Sequence, residues 1–350
     1  MHRVLALSLV IVQYQIVCRG EDTLPVPAVV ELGVYVNRLN DVSLKDGKIA
    51  VDIYVWFRWR DKDLKPHEAF DLVNGEVTSK SGLMEADLDG VKYASLRVRG
   101  IVNKVWDISR FPFDSHEISI EIESTESEIH KLVYVPDVAN SGVNADARIA
   151  GWTLTPRHAR VEVYRYATNY GDTSLPTGAE SAYSRFIYSV HISRPGYSLF
   201  IKLFTGLFIA AGIGFLSLLI RPIDLDPRFG LGVGAMFAAV ASQYVLDSNL
   251  PDAPGLTLAD KLHVLTFLFI FITLLESTIS LRLWNRGRQA LSEQLDRYSL
   301  VCIVLCFVSL CVWLVWFGSQ EAKSFTQMRN DLGGVYIRAR HAGIPTEADC

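Results

Sequence analysis

The chain has 350 residues, half of them hydrophobic, and a net charge of −4. A mean hydropathy of +0.22 is too apolar for an ordinary soluble enzyme and points to a membrane protein. The acidic balance and the lack of a Lys/Arg cluster interleaved with aromatics exclude nucleic acid as a partner. No phosphate-cradling glycine loop, His/Cys metal cluster or spaced nucleophile–base pair suggests an enzyme or calls for a cofactor.

Residues 1–20 have a basic start, an apolar stretch from Val4 to Val12 and a small-residue ending at Cys18 and Gly20. That pattern predicts a secretory signal peptide. A retained signal anchor is the other reading, against which Gln13 and Gln15 break the apolar run. Residues 21–194 follow as a charged, alternating segment expected outside the cytoplasm. It contains no cysteine, so its core alone must hold it. Cys302, Cys306 and Cys311 fall in a later apolar helix and are expected to be small buried side chains.

In the run from Val51 to Trp59, Val51, Ile53, Val55, Phe57 and Trp59 alternate with Asp52, Tyr54, Trp56 and Arg58. Period two is the signature of a strand with one face in a core. The alternation recurs at Leu96 and Val98, at Ile118, Ile120 and Ile122, at Val161 and Val163, and at Ile187 and Val190. Short strands between turn-forming clusters predict a mainly antiparallel, immunoglobulin-like β-sandwich.

Residues 195–318 hold the long apolar runs: about 197–220, 229–246, 262–281 and 299–317. Each is long enough to cross, or nearly cross, a hydrocarbon layer of roughly 30 Å. Arg221 and Arg228 follow the first run, and Arg282, Arg286, Arg288 and Arg297 follow the third, which predicts cytoplasmic connections. The acidic connection from Asp247 to Asp260 then lies outside, with the sandwich and the C-terminus. Glu276, inside the third span, needs a buried partner. Residues 319–350 form a tail with no assigned role. The expected place is a plasma or inner membrane, with lipid around the spans.

The segment Asp107-Ile-Ser-Arg-Phe-Pro-Phe-Asp114 resembles the signature loop of the pentameric ligand-gated ion channels, the Cys-loop receptor superfamily. Trp59-Arg60-Asp61, Gly151-Trp152, Arg194-Pro195 and Asn249-Leu250-Pro251 follow in family order. Lys104 and Ile118 stand where the bridged cysteines would be, and the third-to-fourth connection is short. Both traits resemble the prokaryotic branch.

The resemblance implies a homopentamer around a central pore, with the second span lining it. On that pattern the pore face is Asp226, Gly230, Gly234, Phe237, Ala241 and Tyr244, with Asp247 at the outer mouth. Rings of Asp226 and Asp247 favour cations, whereas Arg228-Phe-Gly-Leu-Gly232 resembles anion-conducting members. Phe237 is the gate candidate, and Gly230, Gly232 and Gly234 are expected to permit close helix packing. The alternative is a non-conducting pentameric membrane receptor or scaffold of the same fold.

The resemblance also puts Asp114, Arg194, Asn249 and Pro251 at the junction that couples ligand binding to the pore. It places the ligand between subunits. Tyr54, Trp56, Arg58 and Arg97 are expected on one side, and Tyr164, Tyr166, Tyr170 and Tyr183 on the other, where their π faces can cap a small cation. The acidic loop Glu123–Glu128 can bind Ca²⁺ or an amine, and His116, His130, His158 and His191 admit a proton as ligand.

Overall fold

The computed structural model describes residues 26–340, apart from 172–175, 177 and 195. The expected signal peptide and Pro195 lie outside the described residues.

Ten strands form two sheets. They are β1 (Ala28–Ser43), β2 (Lys48–Trp59), β3 (Phe70–Leu72), β4 (Gly75–Leu88), β5 (Val91–Asn103), β6 (Ser115–Ser124), β7 (Leu132–Pro136), β8 (Gly142–Val143), β9 (Thr153–Tyr166) and β10 (Ser181–Ser193). One sheet runs β4-β5-β2-β1-β7, with β8 also on β1, and the other runs β3-β6-β10-β9. Pairing is antiparallel except where β1 meets β7 and β8 in parallel.

The period-two residues build the core. Val51, Ile53, Val55, Phe57 and Trp59 of β2 are buried, as are Leu96 and Val98 of β5 and Ile118, Ile120 and Ile122 of β6. β9 departs from the alternation: Val163 is 53% exposed. That strand is the edge of its sheet, so its side chains have a neighbouring strand on one side only. Asp52 departs in the other direction. It is buried on the nominally outer face, because Arg97 of β5 and Asn37 of β1 supply the hydrogen bonds that burial requires.

Helices α1 (Gly196–Leu216), α2 (Leu225–Asp247), α3 (Leu258–Asn285) and α4 (Gln289–Arg340) follow, with a 3-10 turn at Ser217–Leu219. All four are long and apolar enough to cross a membrane. α2 starts four residues before the apolar run does (at 225 against 229), because helix formation tolerates Asp226 and Pro227 in a first turn whose N–H groups lack partners anyway. α3 starts at Leu258 behind a capping box, in which Thr257 Oγ1 accepts from Asp260 N and Asp260 Oδ2 accepts from Thr257 N. α4 runs to Arg340, well past the end of its apolar run at 317 and through most of the expected tail. Of its cysteines only Cys311 is buried; Cys302 and Cys306 are exposed on the outer side of α4, contrary to expectation.

Candidate functional site

The junction between sheets and helices is built from the loop between β5 and β6. Trp106, Ile108 and Phe111 of this loop are buried. Ser109 O accepts from Leu258 N at the start of α3, at 3.0 Å. Phe113 packs on Tyr197 and Phe200 of α1, with ring centroids 5.4 and 5.6 Å away. Lys104, at one of the two cysteine positions, is tied in by its backbone N–H to Gly47 O at 2.7 Å. An apolar plug and backbone hydrogen bonds therefore do the work a disulfide would do.

Asp114 ends this loop and Arg194 leads into α1. Arg194 Nε donates to Asp114 Oδ1 at 2.8 Å, and its guanidinium lies 4.1 Å from the Trp152 ring centroid and 4.9 Å from that of Phe111. Asp114 Oδ2 also meets His116 Nε2 at 2.7 Å. Asn249 and Leu250 line a cavity of about 570 Å³ beneath Phe111, together with Lys202, Ser242 and His263. Pro251 has no hydrogen-bonded tie to the sheets; that link is made by Lys45, whose Nζ donates to Ser248 O at 3.0 Å. Lys45 sits in an ordinary polar turn, with no sequence signal to mark it.

α2 has two faces. Arg228, Gly232, Ala235, Ala239 and Leu246 are buried against the other helices, whereas Asp226, Gly230, Gly234, Phe237, Ala241, Tyr244 and Asp247 are all exposed on the isolated chain. Only Gly232 is a packing glycine, since a Cβ there would run into Leu274. Gly230 and Gly234 have open space where a Cβ would stand, so within the subunit only Gly232 serves close packing. In the first turns of α2 Arg228 is completely buried. Its guanidinium donates to Asp296 at 2.8 and 3.0 Å, to Glu276 at 3.3 Å and to Ile220 O at 2.8 Å. Glu276 thus has the partner its burial required.

On β2, Trp56 lies flat over Gly33, where a Cβ would collide with the indole, and its Nε1 donates to Asp137 Oδ2 at 3.0 Å. Arg58 Nη2 donates to Asp137 at 2.8 Å and to Glu31 at 2.7 Å. Burial raises the Asp137 carboxyl, but hydrogen bonds from Asn140 and Trp56, with the charge of Arg58, hold it below the usual carboxylate range. Tyr54 remains 42% exposed, with the Arg97 guanidinium 5.8 Å from its ring centroid.

The four tyrosines on β9, β10 and their connection do come together. Tyr166 is 4.8 Å from Tyr164 and 5.8 Å from both Tyr170 and Tyr183, centroid to centroid. Two of the rings already meet a cation. Arg185 lies 3.6 Å from the Tyr164 ring centroid, with Nε on Glu123 at 2.6 Å, Nη1 on Glu121 at 3.0 Å and Nη2 on Tyr166 Oη at 2.8 Å. Burial and the bond to Glu123 push the Tyr166 phenol up to about 12. Glu123 is therefore turned inward and engaged, and no group of three or more His, Cys, Asp or Glu able to hold a metal ion gathers among the described residues.

No family model matches the chain. Among curated proteins it is similar to a proton-gated ion channel of Gloeobacter violaceus, 21% identical over 318 residues that cover 83% of this chain and 84% of that protein. It is also similar to the gamma-aminobutyric acid receptor subunits epsilon of Rattus norvegicus and beta-4 of Gallus gallus, each 22% identical, over 72% and 78% of this chain. The matches span 53% and 59% of those two receptor subunits. Agreement runs across both the sheets and the helices. The chain is similar over most of its length to members of the pentameric ligand-gated ion channel family.

Its four helices long and apolar enough to cross a membrane agree with that similarity. Sequence reasoning missed Arg185, Asp137 and Asp296, which are committed inside the subunit. Each is a common charged residue whose partner lies far along the chain (62 residues for Arg185 and Glu123, 68 for Arg228 and Asp296), so no local motif marks it.

Proposed function

We propose that the chain forms a homopentameric, proton-responsive, cation-conducting channel in a plasma or inner membrane, with α2 lining the pore and residues 21–194 outside. The observation that carries this reading is the division of α2. Arg228, Gly232, Ala235, Ala239 and Leu246 pack inward, while the stripe from Asp226 to Tyr244 is exposed on the subunit and suits the wall of an axial pore. The selectivity argument rests on Arg228. Its charge is neutralised by Asp296 and Glu276 and turned away from that stripe, so the resemblance to anion-conducting members at this residue carries no positive ring. Asp226 is left as the charge at the cytoplasmic mouth.

Phe237, 72% exposed on the stripe, is the proposed gate, closing by dewetting. The tyrosine box and the β2 residues stand on different sheets of one subunit, which fits a pocket closed only across a subunit boundary. Because Arg185 already covers the Tyr164 face and engages Tyr166, a small amine is disfavoured as the ligand. The similarity to a proton-gated channel makes a proton the better choice. The coupling route is Asp114 and Arg194 to α1, and Lys45 and Asn249 to the end of α2.

Single-channel recording from purified protein in a bilayer, with acidification on the sandwich side, tests the reading. Steps whose reversal potential follows the cation gradient, and which Asp226→Asn shifts, are expected. Silence across pH and ligand screens, including from Phe237→Ala, favours a non-conducting receptor.

A further inference from the structure

We propose that the proton acts at His116, the histidine that shares a carboxylate with the connection into the membrane. This rests on the reading of the chain as a gated channel. His116 is on β6, buried, with its side chain 4% exposed and its Nε2 2.7 Å from Asp114 Oδ2. The other oxygen of the same carboxylate holds Arg194. The imidazole packs edge-on to Trp106 at 4.8 Å and against Trp152 at 5.6 Å, and Trp152 also carries the Arg194 guanidinium.

The charged groups around the ring are few. Asp114 and Arg194 are joined by Asp107 of the β5–β6 loop, whose carboxyl is held low first by Ser109, with a smaller contribution from Arg110. Lys104 lies 5.6 Å from the centroid of the Trp106 ring. From β10 the register partner is Ile192, which is uncharged. A neutral imidazole donating to Asp114 gives the His116–Asp114–Arg194 set a net charge of zero. A proton added at Nδ1 breaks no covalent bond and makes that charge +1. Two cations then compete for one carboxylate and one indole face, which loosens the hold of Arg194 just ahead of α1. His263 is hydrogen-bonded to Ala259 O and near Ser242 within the span, and His130 and His158 are exposed, so none of them touches this connection.

The test uses the full chain in liposomes, stepping the outer pH from about 7.5 to about 4.5, a range that spans imidazole titration. His116→Gln keeps an N–H for Asp114 but cannot titrate. It is expected to abolish the response or to raise the proton concentration for half-maximal current at least tenfold. Tryptophan fluorescence of the purified protein, quenched by an imidazolium beside Trp106, is expected to fall on acidification in the parent and not in His116→Gln. His116→Asn replaces the glutamine variant if gel filtration shows misassembly. A parent-like midpoint in His116→Gln overturns the site, as does loss of the response in His263→Gln alone. A parent that stays silent while Phe237→Ala conducts overturns it too, leaving the pore intact. If Phe237→Ala is also silent, the pore reading fails, and the fluorescence difference alone supports or overturns the proton site.

Discussion

Arg228, at the first turns of α2, and Asp296, at the first turns of α4, form a two-pronged ion pair at 2.8 and 3.0 Å inside the helical bundle. The pair joins the proposed pore helix to the outermost helix, with Glu276 of α3 as a third member. Removing one partner strands a charge that water cannot reach. Asp296→Ala is expected to destabilise the subunit by about 3–5 kcal/mol, read as a lowered unfolding midpoint in detergent. A midpoint unchanged from the parent would show that Arg228 finds another partner.

Gly232 and Gly230 are two residues apart on α2 and should respond oppositely to the same substitution. Gly232→Ala forces Leu274 to move, at a cost of about 1–3 kcal/mol. Gly230→Ala meets open space and gains helix propensity worth about 0.5–1 kcal/mol. Thermal unfolding of the two variants should bracket the parent, and destabilisation of both would refute the assigned faces.

Arg185 stacks on Tyr164 and donates to the Tyr166 hydroxyl within the tyrosine cluster. Replacing it with alanine leaves four aromatic rings beside Glu121 and Glu123, a setting that attracts an organic cation. Tetramethylammonium at millimolar concentration should raise the unfolding temperature of Arg185→Ala and leave that of the parent unchanged. Equal shifts in both proteins would mean that the box is open without the substitution.

Asp52 and Arg97 give the outer domain a defined acid response. The hydrogen bond from Arg97 holds the Asp52 carboxyl below its ordinary value, against the opposing effect of burial. A depressed carboxylate contributes stability that is complete above its unfolded pKa, about 3.9, and is lost as pH falls through the lower folded value. Arg97→Gln should therefore flatten the stability profile below about pH 4, measured by denaturant unfolding across pH. A profile with the parent's slope would place the acid sensitivity elsewhere.

The tyrosine box also has an alkaline signature. Tyr166 titrates at about 12 in the folded chain, so its contribution is complete below the unfolded value near 10 and is lost as pH rises towards 12. Phenolate absorbance should show one late-titrating tyrosine fewer in Tyr166→Phe. An unchanged titration would mean that Glu123 does not hold this phenol.

Some of this was determined by local sequence. Strand alternation from Val51 to Trp59, four apolar runs and the Phe111-Pro112-Phe113-Asp114 motif each depend on neighbours within a few residues, and they point to the sheets, the helices and the family resemblance. The two faces of α2 follow from helical period, so the exposed stripe was legible there too. The tertiary structure alone decided which charges are spent inside the subunit. Whether Arg228 faces a pore or Asp296, and whether four tyrosines await a cation or already hold Arg185, depends on pairs brought together by packing. A buried charge is stable only beside its counter-charge, and that counter-charge can come from any point along the chain.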